Sequence, residues 1–228
     1  MTDIFLGIHK TTLIDYPAEV ATILFTGGCN FLCPYCHNPE LVNIGDNPNW
    51  INMDYIFEHI KKRKNLLGGV VISGGEPLIH TGIIDIISRI KSIGLKVKID
   101  TNGSMPETLK MLDVDYIAMD IKTVLSGYGK FCTVLKDIET RINDSIKYII
   151  NSGIDHEFRT TVVPGIIGEK EITNISAMLK GAKRVYLNRF KPSKTLDPAY
   201  MDVKPYSEEE LDHFRRIIFD NGIPCKVR

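Results

Sequence analysis

The chain has 228 residues, 43% of them hydrophobic and 25% charged, which suits a globular protein with one large core or two small ones. Its 28 Lys and Arg balance 28 Asp and Glu, so a formal net charge of zero gives no general attraction to nucleic acid or to an anionic membrane. No run approaches the roughly 18 apolar residues that span a bilayer, and "MTDIFLGIHK" lacks the apolar core of a signal peptide, so a cytoplasmic protein is expected.

Short β-branched runs alternate with segments of helical apolar spacing, the pattern of βα units around a parallel sheet. The first strand is expected at "EVATILFT" (19–26), followed by a loop at "NIGDNPNW" (43–50) and a helix over 51–66. Lys61 to Lys64 fall in the last turn of that helix, where positive charge suits the dipole. Strands at 68–73, 95–100, 115–121, 157–163 and 184–190 follow, with helices over 80–93, 105–112, 137–151, 169–180 and 207–220. The segment "FKPSKTLDPAYMDVKPYS" (190–207) reads as an ordered irregular connection to the last helix. A complete (β/α)₈ barrel usually needs about 250 residues. Six units fit this length, so the expected fold is α/β, a partial (β/α)₆ TIM-like barrel open on one side and formed by a single domain, 1–228.

Parallel βα folds carry their chemistry at the C-terminal ends of the strands. Cys29, Cys33 and Cys36 follow the first expected strand, "GGEP" (74–77) the second, and "DTNG" (100–103) the third. The fourth ends in "DIK" (120–122), the fifth carries Arg159, and the sixth ends with Asn188, Arg189 and Lys191. Chance placement explains any one of these, and explains all six poorly.

The cysteines in "GGCNFLCPYCHNPE" (27–40) are spaced CxxxCxxC without a fourth. Structural zinc takes four ligands, commonly from two CxxC-type pairs, and no second pair exists here. Three thiolates on one loop can hold three corners of a four-iron cluster and leave one iron open for an exogenous ligand. Zinc completed by His37, or thiols without metal, are the alternatives. Cys132 and Cys225 stand apart and read as buried or incidental thiols.

The other motifs are weaker singly. Gly74 and Gly75 allow backbone to approach a ligand closely and Glu76 could receive an ammonium, though the stretch could be a plain strand-to-helix turn. Asp100 and Asn102 could bond ribose hydroxyls, or "NG" could be only a turn. Asp120 and Lys122 share one face of a strand, as an ion pair or as ligand contacts. Tyr35 could stack on a purine or simply pack. His9, His59, His156 and His213 sit in no motif, and His80, at the start of the second expected helix, stands only slightly apart from them.

With CxxxCxxC, GGE, DTNG and DIK in this order, the chain resembles the radical S-adenosylmethionine (SAM) superfamily, and more closely the activating enzymes of glycyl-radical enzymes. "GCNFLCPYCHNPELV" is similar to the activases of anaerobic ribonucleotide reductase and pyruvate formate-lyase; "KTTLIDYP" (10–17) and "FKPSKTLDP" (190–198) are similar to a second type of anaerobic ribonucleoside-triphosphate reductase activator. The resemblance implies a 4Fe–4S cluster on Cys29, Cys33 and Cys36, with SAM chelating the open iron. It implies Tyr35, Cys36 and His37 beside the adenine, and Gly74, Gly75 and Glu76 on the methionyl amino group. Asp100 and Asn102 would lie near the amino group and ribose, and Asp120 and Lys122 would address ribose and carboxylate. Pyruvate formate-lyase activases carry a histidine at the end of the sixth strand; this chain has "NRFKP", so Lys191 or Asn188 would serve. The implied partners are a glycyl-radical enzyme and flavodoxin or ferredoxin as electron donor. A radical SAM enzyme acting on a small molecule and a non-enzymatic zinc-binding module are the competing readings.

Overall fold

A computed structural model describes residues 3–45, 49–132 and 134–228; positions 46–48 of the loop expected at 43–50 lie outside the described residues. By its internal contacts the chain divides into two compact units, one of Met1–Asn30, Glu40–Thr101 and Glu107–Ile117, the other of Phe31–Pro39, Asn102–Pro106 and Ala118–Arg228.

In the first unit β1 (Phe5–Thr12) pairs antiparallel with β2 (Ala21–Thr26), which continues parallel to β3 (Gly69–Gly74) and β4 (Lys96–Thr101). Residues Gly69–Ile72 of β3 are buried without a break, as expected of a parallel strand covered on both faces. The register sets Phe25 against Ser73 and Thr26 against Gly74, so the loops after β2 and β3 leave the sheet side by side. Short helix α1 spans Pro39–Val42. Helix α2 (Met53–Arg63) starts at Asn52, whose side-chain oxygen accepts from the Asp54 and Tyr55 amides. Helix α3 (Ile83–Ser92) buries Ile83, Ile86, Ile87 and Ile90, the i, i+3, i+4, i+7 stripe of an amphipathic helix. Short helix α4 spans Pro106–Lys110.

Strand β5 (Tyr116–Asp120) crosses the boundary between the units in sequence. The second unit holds β6 (Asp155–Val162), β7 (Val185–Arg189) and β8 (Cys225–Val227), all parallel, with α5 (Ile138–Asn151), α6 (Glu169–Met178) and α7 (Glu208–Asp220). Helix α7 opens with a capping box: Glu210 N–H donates to the Ser207 hydroxyl, and the Ser207 amide donates to the Glu210 carboxylate.

Every strand and helix expected from the pattern is present, with ends displaced by up to three residues. Strands β1 and β8 and helix α1 were not expected. Strand β1 carries Gly7, His9 and Lys10 and exposes two of its eight residues, so its sequence lacks the apolar density that marked the parallel strands. No helix among the described residues is long and apolar enough to cross a membrane.

Candidate functional site

In the first unit the candidate residues lie at the ends of β2, β3 and β4. Thr26 accepts from the Gly75 amide and Gly28 accepts from the Glu76 amide at 2.9 Å each, while the Gly28 amide donates to Leu41 at 2.7 Å. The backbone immediately before Cys29 is thus held by the "GGE" turn. Gly74 has φ +119°, and a Cβ there would lie 2.4 Å from the Thr26 nitrogen; a Cβ on Gly75 would lie 1.9 Å from the Gly28 oxygen. Only glycine permits this approach of two backbones. His80 adds a contact of 2.8 Å from Nε2 to the Gly27 carbonyl, a role its sequence surroundings did not signal.

Glu76 is fully buried, and its Oε1 accepts from the Leu78 amide and from the Thr101 hydroxyl at 2.8 Å. The carboxylate therefore ties the end of β3 to the end of β4. Asp100, on β4, accepts from the Ser73 hydroxyl through Oδ2 at 3.1 Å and from Lys98 through Oδ1 at 2.5 Å.

The second unit gathers Cys33, Tyr35, Cys36, Asp120 and Lys122. The Cys36 amide donates to the Cys33 carbonyl at 3.0 Å, closing a turn that carries both thiols. Cys33 is buried, and burial pushes its thiol up to about 11, with Lys122 opposing and Cys36 and Asp120 reinforcing the rise. A thiol so placed becomes a thiolate when a cation binds it. Tyr35 is also buried, edge-on to Phe131 and tilted against Tyr200, and burial first and Cys33 second hold its phenol well above its ordinary value.

Asp120, at the end of β5, accepts from Arg159 Nε at 2.7 Å through Oδ1 and from Lys122 Nζ at 3.0 Å through Oδ2. Burial works against its charge, but Arg159 and then Lys122 outweigh it and keep the carboxyl well below the usual carboxylate range. Burial likewise opposes the Lys122 ammonium, and Asp120 and then Cys33 keep it charged. The Tyr128 hydroxyl accepts from the Lys122 amide at 3.1 Å, fixing the backbone between the two charges. Arg159 was expected within the fifth strand without an assigned role, and no site role was assigned to Tyr128.

His37 stacks on Phe190 and sets Nδ1 2.9 Å from the Lys194 carbonyl; the Asp197 amide donates to the Pro34 carbonyl. The irregular segment after β7 therefore grips the cysteine loop. Lys191 in that segment is exposed. Asn102 is buried and its Oδ1 accepts from the Ser104 amide at 2.9 Å, so that oxygen shapes the turn after β4.

Among the described residues no three His, Cys, Asp or Glu side chains gather as the ligands of one ion do. By donor chemistry, three thiols on one short stretch, all free of disulfides, fit an iron–sulfur cluster.

The family model of the radical SAM superfamily matches residues 23–175. The chain belongs to the radical SAM superfamily. Over 219 residues it is 32% identical to a Methanocaldococcus jannaschii protein named as a glycyl-radical enzyme activating enzyme, covering 92% of this chain and 90% of that one. Over 227 residues it is 27% identical to the pyruvate formate-lyase-activating enzyme of Clostridium pasteurianum, covering 93% and 89%. Within the superfamily the chain thus falls with the activases of glycyl-radical enzymes, which are oxidoreductases. Its fold is similar to that of a radical SAM methyltransferase from Sphaerobacter thermophilus, with a TM-score of 0.69 at 17% identity over 96% of this chain and 68% of that one. The expected α/β fold, an unclosed partial barrel, is borne out. Radical SAM proteins use a 4Fe–4S cluster and SAM, so the superfamily assignment carries both cofactors and displaces the zinc-module reading.

Proposed function

We propose that this activase installs a glycyl radical on an anaerobic ribonucleoside-triphosphate reductase. The observation that carries the choice of partner is the grip of residues 190–197 on the cysteine loop. Phe190 under His37, Lys194 on His37 and Asp197 on Pro34 give the "FKPSKTLDP" segment, which resembles that of the reductase activators, a structural task at the cluster loop. The same segment lacks the histidine that pyruvate formate-lyase activases carry there.

In this reading Cys29, Cys33 and Cys36 hold the cluster. Bound together, a reduced 4Fe–4S cluster and SAM supply one-electron cleavage of the C5′–S bond, giving methionine and a 5′-deoxyadenosyl radical able to take a hydrogen from a glycine Cα. The residues of the chain orient SAM and exclude water. The backbone of Gly74 and Gly75, with Glu76, bounds the site of the methionyl amino group, and Asp100 and Asn102 serve amino group and ribose. Asp120 and Lys122 serve ribose and carboxylate, Lys122 offering a charged donor that Asp120 keeps in place. Tyr35, Cys36 and His37 border the adenine, and Lys191 is the candidate for the contact made by histidine in pyruvate formate-lyase activases. Flavodoxin or ferredoxin in the cytoplasm would supply the electron.

The likeness to the Clostridium pasteurianum enzyme favours a second reading, activation of pyruvate formate-lyase. The test is anaerobic incubation of cluster-loaded protein, dithionite and SAM with each candidate partner, followed by electron spin resonance. A glycyl-radical doublet on the reductase is expected. A doublet only on pyruvate formate-lyase would select the second reading, and none on either, alongside turnover of a metabolite, would select a small-molecule reaction.

A further inference from the structure

Strand β4 contains a lysine where a parallel strand ordinarily buries an aliphatic residue. Lys98 lies between Val97 and Ile99, which are fully buried, and its own side chain is only 2% exposed. An isolated ammonium in such a place is costly enough to demand a partner. The partner is Asp100, two residues along the same face, with Nζ to Oδ1 at 2.5 Å. Tyr116 presents its ring to the same ammonium at 5.9 Å, and that ring in turn packs on Tyr16.

The Asp100 carboxylate is held at both oxygens, by Lys98 at Oδ1 and by the Ser73 hydroxyl at Oδ2. Ser73 sits immediately before Gly74, and its carbonyl accepts from the Thr26 hydroxyl at 3.1 Å. A carboxylate accepts at both oxygens, so these two bonds, one on each oxygen, fix the plane of the group. Along the strand Lys98 lies about 7 Å behind Asp100, toward the N-terminal end and away from the loops.

We propose that Lys98 is a positioning residue for SAM: it acts through Asp100, orienting that carboxylate from beneath to accept from the ligand. This rests on the assignment of Asp100 to the SAM site made above. The ammonium has no other side-chain acceptor among the described residues. Its effect on SAM therefore passes through one carboxylate.

The experiment is a double-mutant cycle on SAM affinity, measured by anaerobic titration calorimetry on the cluster-loaded protein, with thermal unfolding of each variant as the check on folding. Lys98→Met is expected to weaken SAM about tenfold, the range of couplings between groups in contact. Asp100→Asn is expected to weaken it at least as much, and Lys98→Met added to Asp100→Asn is expected to weaken it no further. An unchanged affinity in Lys98→Met beside a weakened Asp100→Asn overturns the proposal, as do additive losses in the double variant, because Lys98 would then act elsewhere. An unchanged affinity in Asp100→Asn instead removes Asp100 from the SAM site, a separate failure that Lys98 does not decide. Should Lys98→Met fail to fold, Lys98→Gln, which keeps a neutral donor beside Oδ1, takes its place in the cycle with Asp100→Asn: non-additive losses support the proposal, and additive losses overturn it.

Discussion

The imidazole of His37 lies stacked on the ring of Phe190, centroids 6.0 Å apart and planes 24° from parallel. His37 follows the last cysteine of the loop and Phe190 is the first residue beyond β7. Phe190 is 1% exposed, so the contact is rooted in the core rather than on the surface. Replacing Phe190 by Ala should cost about 3–5 kcal/mol of stability through the cavity it leaves. It should also loosen the cysteine loop, seen as faster alkylation of Cys36 in the metal-free protein. An alkylation rate equal to that of the parent would show that the loop holds without this ring.

Gly75→Ala tests the joint between the "GGE" turn and the backbone before Cys29. Its Cβ would meet the Gly28 oxygen at 1.9 Å, and that atom is backbone held by the Glu76 amide. Overpacking of this kind typically costs about 1–3 kcal/mol. The expected result is a lowered melting temperature together with reduced iron and sulfide after reconstitution. Gly129→Ala, which meets nothing within 4 Å, should stay within about 0.5 kcal/mol of the parent. Equal iron content in the two variants would remove the steric argument.

Arg159→Met removes the stronger of the two cations on Asp120. In the parent the carboxyl titrates well below its unfolded value, so its stabilising contribution is complete above the ordinary Asp range and fades as pH falls below about 4. The variant should lose about 1–3 kcal/mol at neutral pH, as for a charged hydrogen bond. The gap between parent and variant in urea midpoint should narrow as pH is lowered from 5 to 3. A gap that widened on acidification would contradict the sign of this linkage.

Cys33→Ser should abolish assembly of the iron–sulfur centre and leave far-ultraviolet circular dichroism unchanged, since Cys33 lies on a loop outside the strands and helices and the substitution exchanges one small side chain for another. Iron content and the visible charge-transfer absorption report the first effect. Parental iron in this variant would exclude Cys33 as a ligand.

Much of the molecule is set locally. Apolar spacing along the chain fixes α3 through Ile83, Ile86, Ile87 and Ile90, and β3 through its unbroken buried run, because period and burial follow from backbone geometry. The cysteine spacing and the "GGE" and "DIK" stretches are likewise legible in the sequence alone. The partner that each polar group meets is settled by packing instead. Glu76 reads as a ligand for an ammonium, yet its Oε1 accepts from Thr101 and Leu78. Lys98 is only one residue of an expected strand in the sequence, yet its side chain is buried and donates to Asp100. Arg159 finds Asp120 across 39 positions of sequence, and His37 finds the Lys194 carbonyl across 157. Such pairings are invisible to spacing, because a charge or a ring declares its chemistry in the sequence, while the distance and burial that give it a strength arise only when remote strands pack.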